Sequence, residues 1–278
     1  MTAQLIDRRA LKAETRETLA EAQVSPKAFT ALYLALVLAM NLVDSFTGIG
    51  MLATFVSILI TLLALVLEAG FVLYCIAVRQ GERAEFLALF DGFSFAGKVI
   101  GLSIVKYFFI FLWSLLFTIP GIIAAYRYRF ALYNLCENPE ISIMEALDMS
   151  KRQTLGYKGQ LFMLDLSYLG WALLAGVPSL IYSFAFYQQL FLQMAAPYGV
   201  AMQDAALWAA VTGLLPAWGW TLAMGLWQMA VAVFYLPNYQ CVELGYFETA
   251  KSTSGIGYDT PPRQDSWGRG GPDNLGGF

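Results

Sequence analysis

The chain has no histidine among its 278 residues, only three cysteines, and just 13% charged residues. Without histidine there is no Ser-His-Asp or Cys-His nucleophile system, no HExxH metal site and no imidazole proton relay. Three cysteines without histidine make a poor zinc set, and their odd number argues for free thiols filling apolar space. Charge stands at about half the roughly 25% usual in soluble domains. Apolar residues reach 58% and mean hydropathy is +0.58. Too little polar surface remains to coat a soluble globule of this size. Other enzyme signatures are missing as well: no GxSxG, no phosphate loop, and no DxD-type metal pair. Gly255-x-Gly257 has no strand before it. The reading is therefore a non-enzyme, with no cofactor, no metal and no nucleic-acid partner.

What is present is long apolar runs. Spanning a bilayer takes roughly 20 apolar residues at 1.5 Å each. Runs fall near 28–46, 51–78, 99–119, 122–136, 161–186 and 205–236, which predicts an all-α bundle of about six transmembrane helices. The leader before Ala28 is long for a signal peptide, so the first run is expected to be an uncleaved membrane helix. Pro120-Gly121 is expected to break the chain between the third and fourth runs. Pro178 is expected to bend the fifth, and Pro216 to hinge the sixth.

Lysine and arginine test the topology. With six crossings and the N-terminus inside, 14 of the 17 basic residues fall in inner segments and none in the outer loops. That one-sidedness follows the positive-inside rule and places both termini in the cytoplasm, in a multi-pass plasma-membrane protein. Residues 1–27 form a cytoplasmic N-terminal helix, 28–248 the transmembrane domain, and 249–278 a Gly- and Pro-rich cytoplasmic tail expected to be disordered. Between crossings, Ser142 and Glu145 make a capping box for an amphipathic helix over 143–155, with Gly156 as its left-handed stop. That helix is either a surface element with bases toward anionic lipid or a plain connector. Phe86, Leu89, Phe90, Phe93 and Phe95 suggest an interfacial segment before the third crossing. Trp208, Trp218 and Trp220 bracket Pro216 as an outer aromatic belt or a ligand groove.

RRALKAETRETL, RQGERAEFLALFDGF, the stretch from LLFTIPGIIAAYRYRF to GQLFMLDLSYLGW, and YLPNYQCVELGYF resemble, in this order, the domain-of-unknown-function 975 family of bacterial integral membrane proteins. The specific part is the central IPGI…Y…ENP…EA…S pattern, within a similarity running from about 5 to 250. The same stretch is loosely similar to the membrane region attached to some glycerophosphodiester phosphodiesterases, although this chain lacks their catalytic domain. The resemblance implies a polytopic helical membrane protein of a Gram-positive-type bacterium and carries over no active site.

Ionisable residues inside crossings cost about 2.5–3.5 kcal/mol each at the helix centre on insertion scales and default to functional hypotheses. Five qualify: Glu68, Lys106, Arg127, Arg129 and Asp165. Counting along each run sets them at similar depths in the inner half of the bilayer. They form either a closed ion-pair cluster, with the long bases snorkelling, or a polar cavity for an anionic head group or for protons. Tyr107, Tyr126, Tyr128, Tyr133 and Tyr168 are belt residues or donors to that charge. The expected role is membrane or envelope homeostasis through lipids, a partner membrane protein or a homo-oligomer. The other reading is a small transporter or lipid translocator, against which no internal repeat around Pro120 and Pro216 is apparent.

Overall fold

The computed structural model describes residues 4–47, 50–195 and 213–257. Among the described residues the chain is helical, with no strand. The helices are α1 (Arg8–Glu21), α2 (Pro26–Phe46), α3 (Met51–Arg79), α4 (Ala96–Leu116), α5 (Thr118–Arg127), α6 (Ala131–Glu137), α7 (Ile143–Gln153), α8 (Lys158–Ala195) and α9 (Ala217–Ser254). A 3-10 segment, Phe86–Phe95, precedes α4. Among the described residues, five helical stretches are long and apolar enough to cross a membrane: 26–46, 51–79, 86–116, 158–188 and 218–254. The fold is a polytopic transmembrane helical bundle.

The fourth expected run, 122–136, is a helix in two pieces. The backbone breaks at Phe117, which is extended, and Pro120 then sits in the first turn of α5, where its missing N–H is harmless. Tyr128–Phe130 separate α5 from α6. Together the pieces run back along α4: Phe109 stacks on Tyr128, and Lys98 donates to the carbonyl of Pro139. A Cβ at Gly121 would collide with Ser114, so glycine is what lets α5 lie this close to α4.

The last run differs more. Its expected hinge, Pro216, is instead the N-cap of α9, and the helix does not end at 236. It continues through Pro237 to Ser254 and closes on Gly255 in the left-handed conformation. The start of the expected disordered tail, 249–254, is thus helical. The tail beyond 257, residues 196–212 and Trp208 lie outside the described residues.

The core sits at one end of the bundle. Every residue of α3 from Val66 to Val78 is buried except Glu68 and the half-buried Ala77, whereas Leu52, Phe55, Ile58 and Leu59 nearer its start are exposed. Phe29 stacks on Tyr74 at 3.8 Å, and Phe130, Tyr133 and Phe247 pack together nearby. Around this core close α1, the 3-10 segment, α6, α7 and the ends of α3 and α9. A Cβ at Gly70 would strike the carbonyl of Leu89, so the 3-10 segment lies directly on the α3 backbone. Beyond this layer the helices present a broad apolar surface, including Phe111 and Leu115 on α4 and Leu180 and Ile181 on α8. A bundle that packs at one end and exposes large apolar side chains along the rest suits a lipid surround.

The charges follow the same division. Arg79 meets Glu248 and Glu14, and Lys251 meets Glu137, all at the packed end. At the other end Phe46 stacks on Trp218, and Tyr182 meets Trp220 at a tilt, ring centroids 5.1 Å apart. No lysine or arginine lies between Phe46 and Met51 or between Leu116 and Thr118.

Candidate functional site

The five residues expected to share one site divide into three. Arg129 and Asp165 come together with a residue the sequence reading overlooked, Glu243. Arg129, in the break between α5 and α6, donates from Nε to Glu243 Oε1 at 2.7 Å and from Nη1 to Asp165 Oδ2 at 2.7 Å. Its Nη2 reaches Asp165 Oδ1, Glu243 Oε2 and the Tyr239 hydroxyl oxygen. Asp165 on α8 also accepts from Tyr126 at 2.6 Å and from Tyr239 at 2.7 Å. The planar guanidinium makes paired contacts with both carboxylates, the geometry in which ion pairs are strongest. Side-chain exposure is 19% for Arg129 and 7% for Glu243, so the set is largely enclosed. It carries one positive and two negative charges, and the two tyrosine hydroxyls offset the excess by donating to Asp165. This is a closed arrangement in which each member has its partners.

Glu243 was missed because the last crossing was ended at 236. Had the helix been carried past Pro237, Tyr239 and Glu243 would have stood four apart on one face, one turn from each other. Glu248 and Glu137 were overlooked for a similar reason: both lie outside the apolar runs, yet each anchors a base.

Glu68 and Lys106 form the second group. Neither side chain makes a hydrogen bond or an ion pair among the described residues, although the charge of Lys106 acts on Glu68, as does that of Glu243. Glu68 is exposed and Lys106 half-buried, its ammonium 4.9 Å from the Tyr107 ring centroid. Tyr33 on α2 and Tyr107 on α4 both feel the Glu68 charge. The helix that carries Glu68, α3, packs against both α2 and α4, and these two have no extended contact with each other. The exposed apolar residues Ile104 and Phe108 lie on the face of α4 turned away from Lys106.

Arg127 stands apart. It is half-buried beside the Tyr128 ring, makes no ion pair among the described residues, and its charge acts on Lys158. Its backbone carbonyl accepts from Ser150 and Thr154, which pins α7 to the end of α5.

That contact sets which face of α7 is turned inward. The capping box of Ser142 and Glu145 is formed, and Gly156 has φ +85°. Yet the face turned into the protein is Ala146, Leu147, Ser150 and Gln153, while Met144 and Leu155 point outward. Gln153 exchanges amide hydrogen bonds with Asn134 in both directions. The helix is docked by polar bonds, with apolar residues and Arg152 left on the surface.

The N-terminal helix is docked as well, on this chain itself. Asp7 caps α1 by accepting from Arg9 N at 2.9 Å. Ile6 N donates to Gln160 Oε1, Arg8 to the Met163 carbonyl at 2.7 Å, and Lys12 to Ser167 at 2.8 Å, so the segment straps the start of α8. Burial there, together with Arg8 and Arg16, pushes the Lys12 ammonium below its usual pKa.

Of the tyrosines expected as belt or donor, Tyr126 donates to Asp165 and Tyr168 to Asn238. Tyr133 accepts from Gln240. The three thiols are buried and form no disulfide, with Cys75 in side-chain contact with Cys241. Among the described residues no group of three or more metal-ligating side chains is assembled.

Length, composition and packing together define a multi-pass helical membrane protein. Residues 115–252 match the family described as protein of unknown function (DUF975), the family that the sequence resembles. The match takes in α5 to α9 and hence Arg129, Asp165 and Glu243. It is narrower than the similarity read from the sequence, and the segments around α1 and the 3-10 helix fall outside it. No curated protein and no solved structure matches the chain.

Proposed function

We propose that this is a non-enzymatic protein of the bacterial plasma membrane, with its packed, charged end in the cytoplasm, that serves membrane or envelope homeostasis by engaging lipid at that end. The observation that carries this reading is the surface of the packed end. Phe86, Leu87, Phe90 and Phe93 of the 3-10 segment are exposed there, as are Met144, Leu155 and Arg152 around α7. Large apolar side chains beside bases suit the boundary between acyl chains and anionic head groups. Partner membrane proteins or a second copy are the other candidates for this surface. A lipid-translocating role is favoured by one further observation, the unpaired Glu68 and Lys106 beside the apolar band.

The test is thermal unfolding of the full chain in nanodiscs of phosphatidylcholine with and without phosphatidylglycerol. Wild type should gain stability from the anionic lipid, and the double change Lys151→Gln, Arg152→Gln should remove about 1 kcal/mol of that gain per base. An equal gain in both proteins refutes lipid engagement through α7.

A further inference from the structure

Helix α1 carries its charges on two separate flanks. Arg8, Lys12 and Arg16 recur every four residues on one side, and Glu14, Glu17 and Glu21 lie on the other, with the buried Leu11 and Thr15 between them. The acidic flank faces a base of the fold: Glu14 stands 3.8 Å from Arg79 at the end of α3. The basic flank is turned to α8, where it meets neutral groups. Arg8 Nη1 donates to the Met163 carbonyl at 2.7 Å and Lys12 Nζ to Ser167 Oγ at 2.8 Å. The same ammonium lies 3.9 Å from the Tyr168 ring centroid. None of these three bases has an ion pair among the described residues. Asp7 is engaged as the N-cap of α1, and Asp165 leaves the opposite face of α8 to join the Arg129 set. Arg8 and Arg16 are eight residues apart, about 12 Å along the helix, so three positive charges share a short flank that holds no acid. Burial and the neighbouring Arg8 and Arg16 already hold the Lys12 ammonium below its usual pKa.

Beside these bases α8 is open to its surroundings. Met163 and Ser167 are exposed, and a Cβ at Gly170 would meet nothing within 4 Å. Leu166, Gly170, Leu173 and Val177 form one exposed face at helical spacing, which begins beside Ser167 and runs toward the far end of the bundle. We propose that Arg8, Lys12 and Arg16 bind the phosphate of an anionic phospholipid whose acyl chain lies along Leu166, Gly170 and Leu173 of α8. Met163 and Ser167 fix where two of the bases stand, and phosphate oxygens accept the charge-assisted hydrogen bonds that no carboxylate takes. A zwitterionic head would bring its own cation into the field of three bases, whereas an anionic head brings none. The apolar face of α8 makes the ligand a lipid and not free phosphate. This site rests on the reading that the protein engages lipid at its packed end, and adds to it a place and a head-group class.

Native mass spectrometry of the full chain in detergent, titrated separately with phosphatidylglycerol, phosphatidylcholine and inorganic phosphate, tests it. Wild type should retain phosphatidylglycerol over phosphatidylcholine, and inorganic phosphate should not displace it. Lys12→Gln and Arg16→Gln should each weaken retention of phosphatidylglycerol about fivefold, the effect of one base near an anionic lipid surface, and leave phosphatidylcholine unchanged. Lys12→Arg should stay near wild type. Arg16 makes no hydrogen bond among the described residues, so Arg16→Gln still decides the matter should Lys12→Gln loosen the strap on α8. Phosphatidylglycerol with a diazirine at the top of one acyl chain should label α8 between Leu166 and Leu173. Unchanged retention in both glutamine variants, labelling confined to other helices, or displacement by inorganic phosphate overturns the site. A fall in retention seen only with Lys151→Gln, Arg152→Gln overturns it too, while leaving lipid engagement at α7 intact. Equal retention of the two lipids by wild type overturns both.

Discussion

Two charged sets lie a few helices apart, and in the sequence they look alike: an acid and a base, each interrupting an apolar run. In the fold they are opposites. Around Arg129, five side chains from three parts of the chain satisfy one another, with two carboxylates at 2.7 Å. Glu68 and Lys106, on α3 and α4, have no hydrogen bond or ion pair among the described residues. The first set ties α8, α9 and the α5–α6 break together. The second ties nothing. Charge in an apolar run therefore identifies a residue that needs a partner, and only the fold says whether the chain supplies one.

Substitutions separate the two sets, and the largest effect is expected at the closed one. Arg129→Met strands two acids in a largely enclosed place. Removing one member of a buried pair costs about 3–5 kcal/mol. Denaturant unfolding in detergent should show a loss of that order, or the protein should fail to accumulate. A loss under about 1 kcal/mol, the range of exposed pairs, would show that the network is not holding the helices. Tyr239→Phe is milder: it removes one donor to Asp165 and leaves Arg129 in place. About 1–3 kcal/mol should be lost, the range for an enclosed polar group deprived of its partner. The smallest change is expected at the open set. Glu68→Gln breaks no bond and keeps the shape, so unfolding should shift by no more than about 0.5 kcal/mol. A shift matching that of Arg129→Met would erase the contrast.

The first two membrane helices are legible in the sequence because their apolar runs are bounded by strong signals. Ser25-Pro26 opens α2, Gly50 precedes α3, and Arg79 ends it. Elsewhere local cues mislead. Pro120 reads as a break, yet proline is tolerated in a first turn, and the chain turns at Phe117, which carries no such signal. The last apolar run ends at 236, just before Pro237, yet α9 continues through that proline, packed against α2 and α8. That error hid Glu243, so Arg129 and Asp165 were seen without the acid that completes their network. Exposure was equally out of reach. Glu68 and Asp165 carry the same sequence signal, and only the tertiary arrangement sets Tyr126, Tyr239 and Arg129 around one of them. For α7, the capping box named the helix correctly. Its inward face is decided by Ser150 and Gln153, polar residues that an amphipathic reading assigns to water.

The contrast between a closed and an open carboxylate is tested most directly by their reactivity in lipid. Dicyclohexylcarbodiimide, an apolar reagent that attacks carboxyl groups accessible from the bilayer, should be applied to the full chain in nanodiscs and the adducts mapped by mass spectrometry. Glu68 should be modified, while Asp165 and Glu243 stay unmodified in their ion pairs. Modification of Asp165 and Glu243 as fast as Glu68, or an inert Glu68, would contradict the account.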